Sequence, residues 1–514
     1  MNIAFFTPLN PVQSGISDYS EELLLTLHGA RVGGREVDID LFIDRGYKPS
    51  NRQVVSRFDV LPASDFAGLA GRYDAVVYQM GNSPAHAYIY NMLMRHAGVV
   101  VLHEFVLHHL RAWMTLNNGR RKEYVSIMER QYGAEGREAA RRVLLGQYPE
   151  ALFKYPLSDE VIKRSTGIIV HSHYMERQVR AVRPDVPLAV VPMGVPLPPL
   201  ISKDHARAHL GIDPEAFVLT SVGHLNPYKR IPVTLRAFKA LLMEVPRALY
   251  LLVGSRSPNY DPTRQIEMLG LADRVKVTGF VPPEKFIYYV SASDVCINLR
   301  WPTAGETSAA LLRVMGAGVP VLVSNTGAFE ELPDDAVAKV DVGDIEEELL
   351  VEYLLLLAQR PDLREAMGRA ARRYVADHHT PEGAARGYLR FLLALAHHDP
   401  AIQPDIALDA ASVAAHAFEP APPDTPGAYG SPTPSSTTTT PTPAQPTPGH
   451  TTAPAVGANA DAESDPADPL ALVADAAVEL GIDQTDEAVL RYVAGALDGM
   501  VAASAEDDEA RKLA

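Results

Sequence analysis

Short apolar runs alternate with helical patterns along the first 400 residues, and this alternation constrains the fold more than any other feature. The first runs are "NIAFFT", "VDIDLFI", "DAVVYQM", "GVVVLH", "GIIVHS" and "LAVVPM". Most are apolar throughout, as strands covered on both faces are. Between the first two, Tyr19, Leu23 and Leu27 share one face of a predicted helix that stops at Gly29. The alternation predicts an α/β fold with a parallel, doubly wound sheet.

The same pattern restarts after the proline-rich segment "PMGVPLPPL", which includes Pro192 and Pro199. The second set of runs is "FVLTSVG", "ALYLLVG", "VKVTGF", "DVCINL" and "VPVLVS". We predict two Rossmann-like halves, residues 1–195 and 196–398, that face each other across a cleft. The last helices of the second half are expected to cross back onto the first.

The C-terminal part differs in composition and charge. From Asp399 onward the chain has 3 basic and 19 acidic residues, whereas residues 1–398 have 44 of each. Residues 399–468 are rich in Pro, Thr, Ala and Ser and predict a disordered, acidic linker. Residues 469–514 regain helical spacing, which predicts either helices that bind a protein partner or a marginal helix without one. A balanced body and an acidic tail argue against nucleic-acid binding.

The chain has a single cysteine, Cys296, within the apolar run "ASDVCINL". A disulfide framework is therefore impossible, which fits a reducing compartment, and a buried core thiol is favoured over a nucleophile. The start "MNIAFFTPLN" lacks the pattern of a signal peptide, and no apolar run approaches the length of a membrane span. We expect a soluble, cytoplasmic protein.

Two loops could hold an anion. In "NPVQSGISDYSEELL", Gly15 follows the opening strand and Ser17 or Asp18 could cap a helix whose amides face an anion or a sugar hydroxyl; a tight turn that needs glycine is the alternative. In "SVGHLNPYKRIPVTLRAF", Lys229 and Arg230 are predicted in the first turn of a helix, where cations are disfavoured. An anionic diphosphate would resolve this conflict; a solvated basic pair is the alternative.

The stretch "RWPTAGETSAALLRVMGAGVPVLVSNTG" is the third candidate. Its small residues precede a helix, so backbone amides at Gly305, Thr307 and Ser308 could approach phosphate oxygens. Glu306 could accept hydrogen bonds from sugar hydroxyls. Arg313 adds a cation on the helix. The alternative is an ordinary loop between a strand and a helix.

Several polar residues follow predicted strands of the first half. Asn82, His86, His103 and His171 lie at or just beyond carboxyl ends of strands, where open α/β sheets keep their sites. The spacing His-Glu-(x)3-His-His at 103–109 is compatible with a metal site, but His103 would be leaving a strand and no third ligand set has matching spacing. We predict an imidazole at His103 that donates a hydrogen bond or handles a proton. Asn82, His86 and His171 are assigned to the acceptor side.

A basic helical insertion, "LRAWMTLNNGRRKEYVSIMERQYGAEGREAARRVL", interrupts the first half. It could touch an anionic membrane surface or an acceptor. Interspersed Glu123, Glu129, Glu135 and Glu138 favour a solvated helical face instead.

Taken in order, "SGISDYSEELL", "VLHEF", "VPMGVP", "VGHLNPYKR", "VTGFVP" and "GETSAALLRVMGAGVPVLVS" resemble the GT-B glycosyltransferases of family 4, over about residues 1–395. The resemblance implies retaining sugar transfer from a nucleotide-diphosphate sugar bound mainly by the second half, with no required metal or other cofactor. It implies that Lys229 binds the diphosphate and that Gly15 lies beside it. It also places His103 near the donor sugar and gives Glu331 a structural role.

Three positions depart from the family pattern. His224 replaces an arginine, Gly305 stands where the first of two glutamates is expected, with Glu306 next to it, and Arg313 replaces the second. The family's second glutamate holds ribose hydroxyls, and an arginine cannot accept those hydrogen bonds because it has donors only. Arg313 could instead reach a phosphate or pair with a nearby acid.

The predicted function is transfer of a sugar to an unknown acceptor, which could be a glycan, a lipid or a small molecule. His103 and Glu306 are the predicted catalytic residues. The predicted donor-binding residues are Gly15, His224, Lys229, Arg230, Gly305, Thr307, Ser308 and Arg313. Two alternatives stay open: a sugar-nucleotide-binding scaffold with weakened catalysis, and a GT-B epimerase or phosphorylase.

Overall fold

The computed structural model of the chain describes residues 1–12, 14–257, 260–399, 401 and 403–409. The predicted helical segment at 469–514 lies outside these residues, as does the predicted linker beyond 409. Apart from residues 142–148, the described residues belong to one compact unit.

Sixteen strands occur among the described residues. They are β1 (Asn2–Phe6), β2 (Arg31–Val32), β3 (Arg35–Glu36), β4 (Asp38–Ile43), β5 (Asp59–Pro62), β6 (Ala75–Met80), β7 (Val99–Leu102), β8 (Gly167–Val170), β9 (Leu188–Val190), β10 (Phe217–Val222), β11 (Ala248–Val253), β12 (Val275–Gly279), β13 (Val295–Asn298), β14 (Val321–Ser324), β15 (Ala338–Val340) and β16 (Ile406–Ala407).

The α-helices of the same residues connect these strands. They are α1 (Gly15–Leu27), α2 (Arg52–Arg57), α3 (Phe66–Leu69), α4 (Ala87–Arg95), α5 (His108–Thr115), α6 (Arg121–Leu144), α7 (Ala151–Lys154), α8 (Asp159–Arg164), α9 (His173–Val182), α10 (Lys203–Leu210), α11 (Ile231–Glu244), α12 (Thr263–Met268), α13 (Pro283–Ser291), α14 (Ala309–Gly316), α15 (Glu346–Gln359), α16 (Pro361–His378) and α17 (Pro381–His397).

Two parallel sheets form the body of the protein. The first has the order β5-β4-β1-β6-β7-β8-β9 and the second the order β12-β11-β10-β13-β14-β15, and all neighbouring strands within them are parallel. The strand order reverses between β1 and β6 and between β10 and β13. Ligands of open α/β sheets bind beyond the carboxyl ends of strands at such reversals. The predicted fold class is confirmed, and the loops after these strands are where a ligand is expected.

The central strands of the first sheet, such as β1, are covered on both faces. Successive side chains of a strand point to opposite faces, so Phe6 joins an aromatic cluster while Phe5 joins the core beneath α1. In that cluster the ring centroid of Phe6 lies 4.9 Å from that of Phe42 and 5.1 Å from that of Phe66. Burial on both faces explains why the strand sequences are apolar throughout.

The last helix, α17, packs against the first half although it follows the second. The hydroxyls of Tyr388 in α17 and Tyr19 in α1 are hydrogen-bonded at 3.0 Å, and Phe391 and Leu395 lie against the backbone of Gly167. Since both tyrosines are buried, this contact joins α17 to the core of the first half.

Some short elements differ from the sequence prediction. The strands β5 and β15 border their sheets and were not predicted, because three or four residues at a sheet edge carry little apolar pattern. The strand β16, inside the predicted linker, pairs antiparallel with β2. The described start of that linker is therefore ordered at residues 406–407. In the described part of the chain, no helix has both the length and the apolar character of a membrane span.

The basic insertion folds as α5 and α6, and the backbone of α6 leaves helical geometry at Gly133. Its charges pair with each other: Arg120 lies 3.0 Å from Glu123, and Arg137 lies 3.2 Å from Glu129. These exposed pairs support a solvated helical face. Contact with a membrane surface stays a prediction.

Candidate active site

The loop after β1 leads into α1 with Gly15 as the first helical residue. The cap is Ser14, whose Oγ accepts a hydrogen bond from the amide of Ile16 at 3.2 Å. The prediction that Ser17 or Asp18 caps this helix is wrong, because both lie inside it. A side chain at Gly15 would meet no atom within 4 Å, so packing does not require glycine there. The space beside it is open.

Lys229 lies in the loop after β10, in a 3-10 turn (Pro227–Lys229) rather than in α11. The predicted position in the first turn of an α-helix is therefore wrong. Its side chain is buried, and Nζ donates a hydrogen bond to the carbonyl oxygen of Val222. Burial and the charge of Arg300 lower the pKa of Lys229 well below its usual range, and Glu306 partly opposes this. An anion at Nζ would favour the charged form of the amine and raise its pKa.

Arg230, unlike Lys229, is paired with a carboxylate of the protein. It caps α11 in the left-handed conformation, with φ 55°, and its Nε donates to the Glu346 carboxylate at 3.0 Å. Glu346 is 1% exposed. The conflict between a cation and the positive end of the helix is thus relieved by a carboxylate of the protein, and no ligand is needed to explain Arg230.

His224, where the family has arginine, is exposed at the same strand end. Its Nδ1 lies 2.9 Å from Oγ of Ser255. Partial burial and the charge of Lys229 lower the pKa of His224. The imidazole is therefore a neutral hydrogen-bonding group beside Lys229.

The loop after β13 brings Glu306 next to Arg300. Oε1 of Glu306 lies 3.2 Å from Nε of Arg300, and Oε2 accepts from the amide of Ala304 at 2.9 Å and from the hydroxyl of Thr303 at 3.2 Å. Burial lowers the pKa of Arg300, and Glu306 opposes that shift. A carboxylate offers about four acceptor directions, so Glu306 keeps capacity for a sugar hydroxyl.

Gly305 has a left-handed backbone with φ 85°. A β-carbon there would lie 2.7 Å from Sδ of Met175, 3.2 Å from Cβ of Phe105 and 3.3 Å from the ring of Tyr174, all of which belong to the first half. The amides of Phe105 and Val106 both donate to the carbonyl of Ala304, at 2.8 and 3.2 Å. A glutamate side chain is excluded at position 305 by this close approach.

Thr307 and Ser308 line a small cavity of about 50 Å³ together with His171 and Glu331. Ser308 caps α14 by accepting from the amide of Leu311 at 3.2 Å. Glu331 caps α9 of the first half, accepting from the amides of His173, at 2.9 Å, and Tyr174. Glu331 thus joins the two halves, which agrees with the structural role that the resemblance implies.

Arg313 faces the first half. Its Nη2 lies 2.5 Å from Oε1 of Glu22 in α1, and both side chains are 24% exposed. Burial lowers the pKa of Arg313, but Glu22 and Asp18 outweigh it, and the pKa is raised overall. Of the two roles left open by the sequence, pairing with an acid is the one found. Its ion pair is with Glu22 and not with another of the predicted donor residues.

Three histidines of the first half form a buried group. His103 donates from Nε2 to Oε1 of Gln79 at 2.6 Å, and His171 donates from Nδ1 to the carbonyl of Val191 at 2.9 Å. Their ring centroids are 5.0 Å apart. Burial lowers the pKa of His171 and that of His86 to about 4. Burial and the charges of His171 and His86 also lower the pKa of His103 well below its usual range.

These rings are therefore neutral near neutral pH. Nδ1 of His103 and Nε2 of His171 have no hydrogen-bond partner among the described residues. Each can accept a hydrogen bond from a hydroxyl but cannot supply a positive charge. An imidazole that orients a sugar hydroxyl fits this chemistry better than a general acid.

Asn82 connects the loops after β6 and β7. Its backbone N–H donates to Oε1 of Glu104 at 3.1 Å. In its side chain, Nδ2 lies 2.9 Å from Nδ1 of His109, and Oδ1 accepts from the backbone N–H of Leu110 at 3.0 Å. His109 also approaches the hydroxyl of Tyr228, with Nε2 at 3.4 Å. The network therefore spans the cleft, because Tyr228 belongs to the second half.

Glu104 entered the sequence-based predictions only as part of a disfavoured metal site, and Arg300 was not singled out. Burial and the nearby Glu306 raise the pKa of Glu104 to about 7. Glu104 and Arg300 each lie two residues beyond a buried strand, β7 or β13. Their position after a strand end was therefore a usable signal. Cys296 is buried within β13, and burial raises the pKa of its thiol to about 12, which fits a core role.

The described residues include no arrangement that supports a metal site. Across the residues that the structure describes, no group of three or more His, Cys, Asp or Glu side chains could hold a metal ion. His103 and His109 lie in separate networks, bonded to Gln79 and Asn82.

The fold is that of known GT-B proteins. Sucrose-phosphate synthase from Thermosynechococcus elongatus is 17% identical with a TM-score of 0.58, over 78% of this chain and 100% of that chain. HepE from Anabaena, solved in complex with UDP and glucose, is 14% identical with a TM-score of 0.54, over 77% of this chain and 100% of that chain. At such identities the likeness shows the fold alone.

The family is indicated by sequence. Residues 202–374 match the model of the glycosyl transferases group 1 family. The D-inositol 3-phosphate glycosyltransferase of Saccharomonospora viridis is 28% identical over 45% of this chain and 56% of its own length. The D-inositol 3-phosphate glycosyltransferase of Nocardia farcinica is 31% identical over 39% of this chain and 46% of its own length. The chain thus spans about half the length of the curated relatives it matches. Residues 202–374 of the second half are thus similar to group 1 glycosyltransferases, as the motifs predict. Membership of family 4 stays a prediction.

Proposed function

We propose that the protein transfers a sugar from a nucleotide-diphosphate sugar to an acceptor hydroxyl, with retention at the anomeric carbon. The observation that carries this proposal is the position of Lys229. It is a buried amine at the strand-order reversal of the second sheet, held by a backbone carbonyl and bonded to no carboxylate among the described residues. The group 1 match, which includes Lys229, supports the same role.

In the proposed mechanism, Lys229 turns from the Val222 carbonyl to the diphosphate and stabilises the charge of the leaving group. The amides that open α14 at Thr307 and Ser308 contact the same phosphates. Glu306, positioned by Arg300, accepts hydrogen bonds from sugar hydroxyls. His103 accepts another through Nδ1. The structure offers no carboxylate with an evident nucleophilic role among the described residues, so the acceptor attacks from the face that the diphosphate leaves.

The similar proteins indicate which donors and acceptors to test first. HepE was solved with UDP and glucose, which favours a UDP-sugar as the first donor to test. The curated relatives act on an inositol 3-phosphate, which favours a phosphorylated polyol among the acceptors. A cytoplasmic location and the absence of a required metal stay predictions.

The deciding experiment is donor binding to the full chain, measured by thermal shift and calorimetry with UDP-, GDP-, ADP- and dTDP-sugars. We expect one base to raise the melting temperature and Lys229→Ala to weaken its binding by about 1.5–3 kcal/mol, the loss of a charged hydrogen bond. Arg236→Ala is the matched control, since Arg236 lies in α11 and forms a surface pair with Glu347. Equal affinity for Lys229→Ala and the unchanged protein would refute the assignment.

A sugar-nucleotide-binding protein without turnover is the second candidate. Its support is Arg313, which occupies the position of the family's ribose-binding glutamate and is paired with Glu22. It predicts donor binding with no acceptor-dependent release of nucleotide. An epimerase or phosphorylase has no specific support from the geometry.

A further inference from the structure

Glu104 occupies a distinctive position in the cleft. It follows β7 directly after His103, and the two amides after it bond to the carbonyl of Ala304 in the second half. This backbone contact holds the Glu104 segment against the loop that contains Glu306. The donor sugar, in the proposed function, lies beside that loop.

The carboxylate of Glu104 is oriented by one hydrogen bond, from the amide of Asn82 to Oε1 at 3.1 Å. No other protein donor to this carboxylate is found among the described residues, and the residue as a whole is partly exposed. Asn82 is itself fixed by His109 and the amide of Leu110. A carboxylate that is positioned but not neutralised can take a proton from a ligand.

The charged and titratable groups around Glu104 come from three loops. Glu306 and Arg300 face it from the second half, with opposite effects on its ionisation. His103 precedes it and is held by Gln79, and His109 reaches it through Asn82. The same two groups, Arg300 and Glu306, also shift the pKa of Lys229, in opposite directions.

We propose that Glu104 is the base that removes the proton from the acceptor hydroxyl during sugar transfer. The acceptor oxygen forms a bond to the anomeric carbon, and its proton passes to a carboxylate oxygen of Glu104. The bond from that carbon to the diphosphate breaks, and its electron pair leaves with the diphosphate. Glu104 then releases the proton to solvent. This inference rests on the proposed function and adds a catalytic residue to it.

The sign of the pH dependence follows from the surroundings of Glu104. Burial and Glu306 raise its pKa to about 7, so the group is protonated below that pH and cannot accept a proton. Turnover should therefore fall as the pH decreases through about 7. The rings of His86 and His171 have pKa values of about 4, so they do not produce this limb.

The test uses the full chain and the variants Glu104→Gln and Glu123→Gln. Glu123 is an exposed carboxylate of α6 and serves as the matched control. Calorimetry with UDP is done first, followed by release of UDP from UDP-glucose and other UDP-sugars across the pH range, with and without phosphorylated polyols as acceptors.

We expect Glu104→Gln to bind UDP as tightly as the unchanged protein, to lose about 100-fold or more in turnover, and to lack the acid limb. Glu123→Gln should behave as the unchanged protein does. A Glu104→Gln protein that turns over at the normal rate, or that keeps the limb near pH 7, would overturn the proposal. UDP binding by the unchanged protein without release from any donor would overturn it too.

Failure of the proposed function has a different signature. If the unchanged protein binds neither UDP nor another nucleoside diphosphate, the glycosyltransferase proposal fails and the role of Glu104 fails with it. A folding readout separates a damaged variant from an inactive one. An ionised Glu104 opposes folding because its pKa is raised, so Glu104→Gln should melt about 2–4 °C higher than the unchanged protein at pH 8 and equally at pH 5.

Discussion

Lys229 and Arg313 are two cations that the sequence assigns to the donor, and the structure gives them opposite surroundings. Lys229 donates to a backbone carbonyl, and burial lowers its pKa. Arg313 is paired with Glu22, and its pKa is raised. A buried amine without a carboxylate is poised to gain from an anionic ligand, whereas a paired guanidinium already has its counter-ion.

The difference teaches that a cation near a ligand site need not serve the ligand. Arg313 joins α14 of the second half to α1 of the first, which is a contact between the two halves. Position in a motif assigned both residues to the donor site, although for Arg313 it also left pairing with an acid open. Only the carboxylate from the other half distinguishes them.

The largest effect is expected when Arg313 is replaced by the family's residue. Arg313→Glu puts a carboxylate next to Glu22 and near Asp18, in a site where both partners are 24% exposed. Loss of the pair and the new repulsion should lower the free energy of unfolding by about 2–4 kcal/mol. Denaturant unfolding measures this change.

The charge-reversed double variant, Arg313→Glu with Glu22→Arg, is the control. It restores opposite charges and should recover most of the lost stability, giving a clear coupling energy in a double-mutant cycle. If Arg313→Glu is as stable as the unchanged protein and binds UDP more tightly, Arg313 does not act as a link and the comparison with Lys229 fails.

A smaller loss of stability is expected when Gly305, in the loop between β13 and α14, is replaced by alanine. Gly305→Ala forces a β-carbon into a left-handed backbone and against Met175, which should cost about 2 kcal/mol. Gly15→Ala has open space and should change stability by less than about 0.5 kcal/mol. Equal melting temperatures for the two variants would show that position 305 tolerates a side chain.

Binding of UDP should be coupled to the protonation of Lys229. Burial lowers the pKa of Lys229 in the free protein, and a bound diphosphate raises it. At a pH between the free and the bound pKa, the protein therefore takes up a proton when UDP binds, and binding weakens as the pH increases. The affinity should fall by up to about tenfold per pH unit in that range. Calorimetry in buffers of different ionisation enthalpy measures the uptake, which Lys229→Met should abolish. Uptake that persists in Lys229→Met would assign the proton elsewhere.

The smallest effect is expected at His224, which is exposed beside Lys229. His224→Arg restores the family's arginine and adds a permanent positive charge near the proposed diphosphate. UDP should bind about two- to fivefold more tightly, less than about 1 kcal/mol, because an exposed cation is screened. Weaker binding by His224→Arg would indicate that the diphosphate lies away from this strand end.

Much of the fold could be predicted from the sequence. The runs around Phe6, Val77 and Val218 are apolar on both faces because helices cover both sides of each sheet, and that pattern is readable locally. The edge strands β5 and β15 lack it. The start of α1 was placed too late because Ser14, Ser17 and Asp18 are all good caps, and only the backbone shows which one is used.

The site was predictable only in part. Lys229 and His103 stand at strand ends within recognisable motifs, so the sequence found them. Glu22 lies 291 residues from Arg313, and nothing in one sequence links the two. The same holds for Glu346, which pairs with Arg230 from 116 residues away.

The return of α17 to the first half bears on any attempt to divide the protein. A cut near residue 195 would separate Tyr19 from Tyr388 and uncover the apolar side of α17. The first half is therefore discontinuous along the chain: it is completed by residues 381–397. Its isolated form should be obtained by fusing that helix to the N-terminal segment or by moving the chain ends, not by simple truncation.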